Sequence, residues 1–488
     1  MSTLIYPNLN LKDPHFKAFK ISDNFIPPTQ SGTFQSDNFI PPTQSGTFQS
    51  DLFLKEVDEY LKLYPQTQHI DICLHDLNGH IRGKRIDVKS LKNLSNGCYF
   101  PLSVYAMSLD GKVIEETGLG KYIGEPDRLC LPILGSLQPS ALSPELNAQL
   151  YLSMQEEDGS DCRYEPRNIL KKLLNQLHTN NYFPVMAAEL EFYLFSPQHQ
   201  FETCSENQCF DIDAPNNYQQ VLDEVEKAAL LQSIEITAIV AESSPGQYEL
   251  NLQHSHDILK LCDQINALKR IVKQIARKHD LTACFMAKPN LSKAGSGMHF
   301  HMSMLNQYHE NIFSSEVEKD ELSAKLLSAI SGLIELMPAS MAILAPNINS
   351  YRRFKIGHHV PLEANWDTNN RNVAIRIPCS DVQNQRLEYR VAGADCNPYL
   401  VAATILAGAS YGLSHKLPLP KPAHLLKFPD EHILLANNQP EALKIFKGSL
   451  ILKGYLGADF VEHWYTVKQA EYQNIYSQMT EAEQHWDI

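Results

Sequence analysis

Five glutamates and one histidine stand out for what they could do together. Glu189, Glu191, Glu242, Glu249 and Glu388 with His299 supply carboxylate and imidazole donors, a set that suits hard divalent cations better than zinc. Arg353, Arg371, Arg376, Arg386 and Arg390 add planar cations suited to phosphate and carboxylate groups. Metal ligands beside phosphate-binding arginines are what phosphoryl transfer requires. The chain has no Gly-x-x-x-x-Gly-Lys-Ser/Thr loop, and no Gly-x-Gly-x-x-Gly follows a strand. Nucleotide binding by those two routes is therefore unsupported.

Positioning these residues falls to strands that alternate apolar and functional side chains. In Pro184–Phe195, Leu190, Phe192 and Leu194 share one face while Glu189 and Glu191 share the other, about 6.6 Å apart along the strand. In Gly297–Met304, Met298, Phe300, Met302 and Met304 oppose His299, His301 and Ser303. In Arg386–Val391, Leu387, Tyr389 and Val391 oppose Arg386, Glu388 and Arg390. Asn372–Ile377 sends Ile375 and Ile377 one way and Arg376 the other, and Glu242–Glu249 sets a turn between two acids. A single glutamate on an alternating strand usually marks a half-exposed sheet face. The same pattern in five segments points to one shared, charged face.

The rest of the chain divides by texture. Ser22–Gln35 recurs verbatim as Ser36–Gln49; rich in Pro, Ser, Thr and Gln, it has no period that could build a core, so residues 1–50 read as a disordered tail. A short helix over Asp51–Leu63, capped by Ser50 and presenting Leu52, Val57, Leu61 and Leu63, opens a small α+β domain over 51–160. His69–His75 and His80–Val88 read as strands joined by a turn at Asp76–Gly79. A helix over Asn168–Thr179, started by Pro166, begins a larger domain over 161–488. The net charge of -14 argues against a general nucleic-acid binder. No cysteine pair has Cys-x-x-Cys spacing, and the longest apolar run, Tyr399–Leu413, is too short to span a bilayer. A cytoplasmic enzyme with neither membrane nor nucleic-acid partner is the expectation.

From Asp71 onward these segments resemble the glutamine synthetase family, and most closely its γ-glutamylpolyamine (γ-glutamylputrescine) synthetase branch. Lys288–Ser303 looks like the family's ATP signature and Glu242–Glu249 like its paired metal acids. Asn349–Arg353, Asn370–Pro378 and Arg386–Leu400 resemble its substrate and phosphate elements, in the family's order. The resemblance implies an α+β fold, with an N-terminal β-grasp domain and a catalytic domain built on a curved antiparallel sheet. It also implies a homo-oligomer, commonly a dodecamer of two hexameric rings. Carried over by position, Glu191, Glu242 and Glu249 would hold one Mg²⁺ or Mn²⁺, and Glu189, His299 and Glu388 a second. His301, Ser303 and Arg386 would contact ATP; Gly295, Arg353 and Arg390 would fix glutamate; Arg371 and Arg376 would stabilise the transferred phosphoryl group.

The sequence departs from the ammonia-using pattern in two places. Where glutamine synthetases carry a flap glutamate, this chain reads Arg353–Pro361 with His359 at the matching spacing. Where they carry an aspartate that helps bind ammonium, Cys98–Val104 has no acid. These losses point to a primary amine, putrescine or another polyamine, with His359 a candidate base. The competing expectations are a glutamine synthetase with an unusual flap, and a non-catalytic homologue that kept the fold.

Overall fold

The computed structural model describes residues 45–196, 208–214, 218–315, 322–355 and 360–485. Its first sheet contains β1 (His69–His75), β2 (Ile81–Asp87), β3 (Cys98–Pro101), β4 (Asp127–Pro132), β5 (Gln138–Pro139) and β6 (Asn147–Met154). The order is β2-β1-β6-β4-β3, with β5 paired to β6. The expected turn forms because Asp76 Oδ1 accepts from the amides of Asn78 and His80, each at 2.9 Å. β1 runs parallel to β6, the grasp-like feature of this sheet.

Helix α1 (Ser45–Leu63) covers the sheet and starts at Ser45, before the expected cap at Ser50. Extending an existing helix costs far less than nucleating one, so the end of the second repeat copy, Ser45–Gln49, is helical. The remainder of both copies lies outside the described residues. The buried stripe of α1 is Phe53, Val57 and Tyr60, whereas Leu52 and Leu63 are exposed. Spacing of four and three residues puts the buried trio on one face, where they join Ile70, Ile72, Leu150 and Leu152 in a core of their own.

The second sheet contains β7 (Phe183–Phe195), β8 (Ile236–Ala241), β9 (Gln247–Leu252), β10 (Thr282–Cys284), β11 (Met298–Leu305), β12 (Trp366–Thr368), β13 (Ile375–Ile377) and β14 (Leu387–Tyr389). Its order is β12-β13-β14-β11-β7-β9-β8, with β10 on β7. Every pair is antiparallel except β12 with β13. The apolar half of each alternating strand is buried, from Leu190 and Phe192 to Met298, Phe300, Leu387 and Tyr389. This face shares a core with α2 (Pro166–Thr179), α3 (Gln219–Leu231), α4 (Ile258–Lys278), α5 (Ala324–Leu344) and α6 (Pro398–Ser414). Burying that face commits the glutamates and histidines to the other. Among the described residues, α5 alone is long and apolar enough to cross a membrane, and 78% of its apolar window is buried inside the fold.

The helices α7 (Gln439–Gly448), α8 (Leu450–Leu456), α9 (Ala458–Tyr476) and α10 (Glu481–Gln484) complete the chain. From α9, the fully buried Lys468 donates to Asn78 Oδ1 in the β1–β2 turn and to Glu471 Oε2 at 2.9 Å. Glu471 Oε1 in turn accepts from Leu109 N at 2.9 Å. Lys468→Met leaves Glu471 as an uncompensated buried charge, and urea unfolding is expected to show a loss of about 3 kcal/mol. The Lys468→Met/Glu471→Leu double variant should recover part of that loss.

Candidate active site

Strand register sets the polar face. β11 pairs with β7 so that His299 lies opposite Glu189, and with β14 so that His301 lies opposite Glu388. β7 pairs with β9 so that Glu191 lies opposite Glu249, and β13 places Arg376 opposite Glu388. His299 Nδ1 sits 3.3 Å from Glu189 Oε2 and 3.9 Å from Glu388 Oε1, while its Nε2 lies 4.0 Å from Glu191 Oε1. Two groups result whose ligand atoms lie within 4.8 Å of one another: Glu189, His299 and Glu388, and Glu191, Glu249 and His299. The first is the trio expected from the resemblance. In the second, His299 takes the place expected for Glu242, which stands outside the tight group and accepts from Ser243 N at 3.3 Å.

Glu388, only 1% exposed, is the electrostatic centre of the face. Arg376 Nη1 donates to it at 2.9 Å, and Arg390 Nη1 makes a second, very short contact. Arg353, in the short helix Ser350–Arg353, is buried and donates to Val391 O at 2.7 Å. Asp395 holds that helix by accepting from Ser350 Oγ and Asn347 Nδ2, both at 2.7 Å. The Nε atoms of Arg353, Arg376 and Arg390 are buried without a partner. Buried donors are seldom left unpaired without reason, and three of them together suit an anionic ligand.

Towards the other end of the face lies a cavity of about 490 Å³, lined by Glu189, Asn251, His301, Ser303 and Arg386 among others. His301 Nε2 lies 2.8 Å from Glu189 Oε1, and Arg386 Nε lies 3.4 Å from His301 Nδ1. The three residues expected on ATP thus share one cavity wall with a metal-ligand candidate.

Charge crowding shows what the face lacks. Burial, then the charges of Glu189, Glu191 and Glu242, push Glu249 up to about 9. Burial, followed by Glu191, pushes Glu242 up to about 6. Burial works in the same direction on Glu189 and Glu388, but is outweighed by His299 and His301 at Glu189, and by Arg390 and both histidines at Glu388; both are held below the usual carboxylate value. Among the described residues, no Lys or Arg forms an ion pair with Glu191, Glu242 or Glu249. Carboxylate oxygens and an imidazole nitrogen around an unneutralised, buried negative charge fit a hard divalent cation.

Two glycines let the backbone approach this face. A Cβ on Gly295 would lie 2.6 Å from Ala287 O and 2.7 Å from Arg353 Cγ. A Cβ on Gly297 would lie 2.6 Å from His299 Nε2 and 2.8 Å from Arg353 Nη2. Gly297→Ala is therefore expected to lower kcat/KM for glutamate on the order of tenfold or more, measured by phosphate release, while nucleotide binding by calorimetry stays near wild type. Arg371 is exposed in the turn before β13 and, among the described residues, makes no hydrogen bond or ion pair with the cluster. His359 lies outside the described residues. Gln247 was not anticipated: its Nε2 bridges Gly295 O at 2.9 Å and Glu191 Oε2 at 3.4 Å. Its position two residues before Glu249 could have revealed it, since strand parity puts both on one face. Lys288, 2% exposed with its ammonium on Lys293 O, gave no such clue.

The chain belongs to the glutamine synthetase family: the family's catalytic domain, described as "Glutamine synthetase, catalytic domain", matches residues 163–487. It is accordingly an enzyme, an ATP-dependent ligase joining glutamate to an amine, in a family that works with ATP and divalent metal ions. The chain is 47% identical over 445 residues to the γ-glutamylputrescine synthetase PuuA of Escherichia coli (strain K12), covering 88% of this chain and 94% of that one. It is 30% identical over 416 residues to the glutamate–isopropylamine ligase of a Pseudomonas species, covering 80% and 89%. A solved structure titled as a GmaS/ADP complex superposes with a TM-score of 0.76 at 26% identity, covering 88% of this chain and 98% of that one. Fold and family thus agree with the α+β architecture of grasp domain and curled sheet.

Proposed function

We propose that this ligase activates the γ-carboxylate of glutamate as an acyl phosphate and passes the acyl group to a primary amine, putrescine or a related polyamine. The observation that carries the activation step is the set of buried, unpartnered Nε atoms on Arg353, Arg376 and Arg390. A carboxylate is a poor acyl donor because its leaving oxygen is strongly basic. Attack of that carboxylate on the terminal phosphorus of ATP expels ADP and gives a mixed anhydride. The amine nitrogen then attacks the carbonyl carbon, phosphate leaves, and the nitrogen gives up a proton. In this reading Arg353 and Arg390, with the Gly295 backbone, orient glutamate, and Arg376 neutralises charge on the transferred group. Arg371 joins Arg376 only if the turn before β13 closes over the substrate. His301, Ser303 and Arg386 hold the nucleotide. Divalent ions at Glu191, Glu242 and Glu249 and at Glu189, His299 and Glu388 would supply the charge neutralisation that lets two anions meet.

The amine is read from three observations. Both ligase relatives are named for alkylamine products or substrates. Cys98–Val104 offers no acid, and its Leu102 and Val104 are buried in the small core. The flap carries His359 in place of an acid. An alkylammonium with a pKa of about 10.4 still needs a base, and we assign His359 that role; if His359→Ala leaves the amine-dependent rate unchanged, the assignment fails. We also retain the division into 51–160 and 161–488, supported by two separate cores, and a dodecamer of two rings, which mass photometry tests.

The central experiment is phosphate release from MgATP and glutamate with ammonium, methylamine, ethanolamine, putrescine and spermidine supplied separately. Putrescine is expected to turn over at least tenfold faster than ammonium at equal millimolar concentration. Turnover with ammonium alone would overturn the polyamine reading, and no turnover with any amine would overturn the ligase chemistry itself.

A further inference from the structure

Away from the catalytic face, a cleft of about 810 Å³ opens between the β1–β2 turn and helix α4. One side is a stripe of α4 residues, Asn266, Lys269, Lys273 and Arg277. Their spacing of three and four residues sets all four on one helix face. Among the described residues, none of Lys269, Lys273 and Arg277 has a carboxylate within ion-pair distance. Lys269 Nζ donates to Cys396 O at 3.0 Å, and Lys273 Nζ stands 5.5 Å from the Phe285 ring centroid. Burial pushes Lys269 down to about 8 and lowers Lys273 too, as expected of cations lacking a counter-charge.

Two further arginines of the lining are already paired: Arg82 donates to Asp76 at 2.8 Å, and Arg270 to Asp71 at 2.7 Å. The lining holds one acid, Asp395, whose Oδ2 is occupied by Asn347 and Ser350. Asn266 is the independent observation. It is 3% exposed, and both its Oδ1 and its Nδ2 are buried without a partner. An amide in that condition costs about 1–3 kcal/mol for each unsatisfied group, and it lines the same cleft as the unpaired cations.

We infer that this cleft is a binding site for a small multivalent anion, phosphate- or carboxylate-bearing, held by Lys269, Lys273 and Arg277 with Asn266 donating and accepting alongside. Guanidinium and ammonium groups without a carboxylate partner, beside an unsatisfied amide, match such a ligand in charge and in hydrogen bonds. None of these four residues belongs to the catalytic face, although Asp395 and Asn347, which hold the Arg353 helix, also line the cleft.

Isothermal titration of the full-length enzyme with Mg²⁺ present tests this, with inorganic phosphate and succinate as separate probes. Three proteins are compared: wild type, Lys273→Gln/Arg277→Gln, and Arg376→Ala, which weakens phosphate binding on the catalytic face. At least one probe is expected to bind wild type and Arg376→Ala with similar affinity, and the double variant at least tenfold more weakly. Which probe binds identifies the anion's chemistry. The thermal midpoint of the double variant without anion should match wild type, and Lys273→Arg/Arg277→Lys should restore binding. Equal affinity in the double variant, loss of all binding in Arg376→Ala, or no binding of either probe to wild type would each overturn the site.

Discussion

Replacing Glu388 with Gln is expected to lower kcat by on the order of 10³-fold and to destabilise the protein by about 3 kcal/mol. Both effects follow from one position. At 1% exposure the carboxylate receives Arg376 at 2.9 Å and Arg390 closer still, and its Oε1 stands 3.9 Å from His299 Nδ1. Gln keeps the volume and one acceptor but removes the charge, leaving two largely buried guanidiniums uncompensated. It also takes an anionic donor from the Glu189–His299–Glu388 group. Steady-state phosphate release gives the first effect and chemical denaturation the second. A Glu388→Gln enzyme with wild-type kcat would remove this carboxylate from the reacting centre, whatever its effect on stability.

The second large effect concerns metal and pH together. An ordinary glutamate titrates near 4.5, but folding pushes Glu249 up to about 9 and Glu242 up to about 6. Between those limits the folded, metal-free protein holds protons that the unfolded chain has released. Its stability therefore falls as pH rises from about 4.5 towards 9, by a few kcal/mol in order of magnitude. Glu189 and Glu388, held low by their partners, act oppositely: their contribution is present above the ordinary glutamate value and disappears as pH drops further. Thermal midpoints in EDTA are expected to peak near pH 5 and decline towards 9. Millimolar Mg²⁺ should flatten the decline, because the cation replaces the bound proton, and EDTA should abolish turnover. A decline that Mg²⁺ leaves untouched would mean that no cation occupies the Glu249 cluster.

Much of the candidate site was legible because strand parity is a hard geometric rule. Once Leu190, Phe192, Met298 and Phe300 are assigned to a core, Glu189, Glu191, His299 and His301 have only one face left. Register was not legible. That His299 meets Glu189 while His301 meets Glu388 depends on pairings between segments roughly a hundred residues apart, and parity alone permits several. The placement of Glu242 has the same origin: it lies just past the end of β8, while His299 is carried into the centre by β11. The buried face of α1 was legible in part: Val57 and Leu61 pack on the small core, whereas Leu52 and Leu63 outweigh Phe53 and Tyr60 in a hydrophobic count but do not share their spacing. The cations on α4 gave no sequence signal of a site, since nothing local shows that the β1–β2 turn covers them.

His299 carries a consequence beyond the list of ligands. Its Nδ1 faces Glu189 and Glu388, and its Nε2 faces Glu191. A neutral imidazole has one lone pair to give, the other nitrogen bearing the proton. The ring can thus complete one cluster at a time, and the tautomer decides which. Were cations to fill both groups, their occupancies would be linked rather than independent, with one strong and one weak step expected in a metal titration.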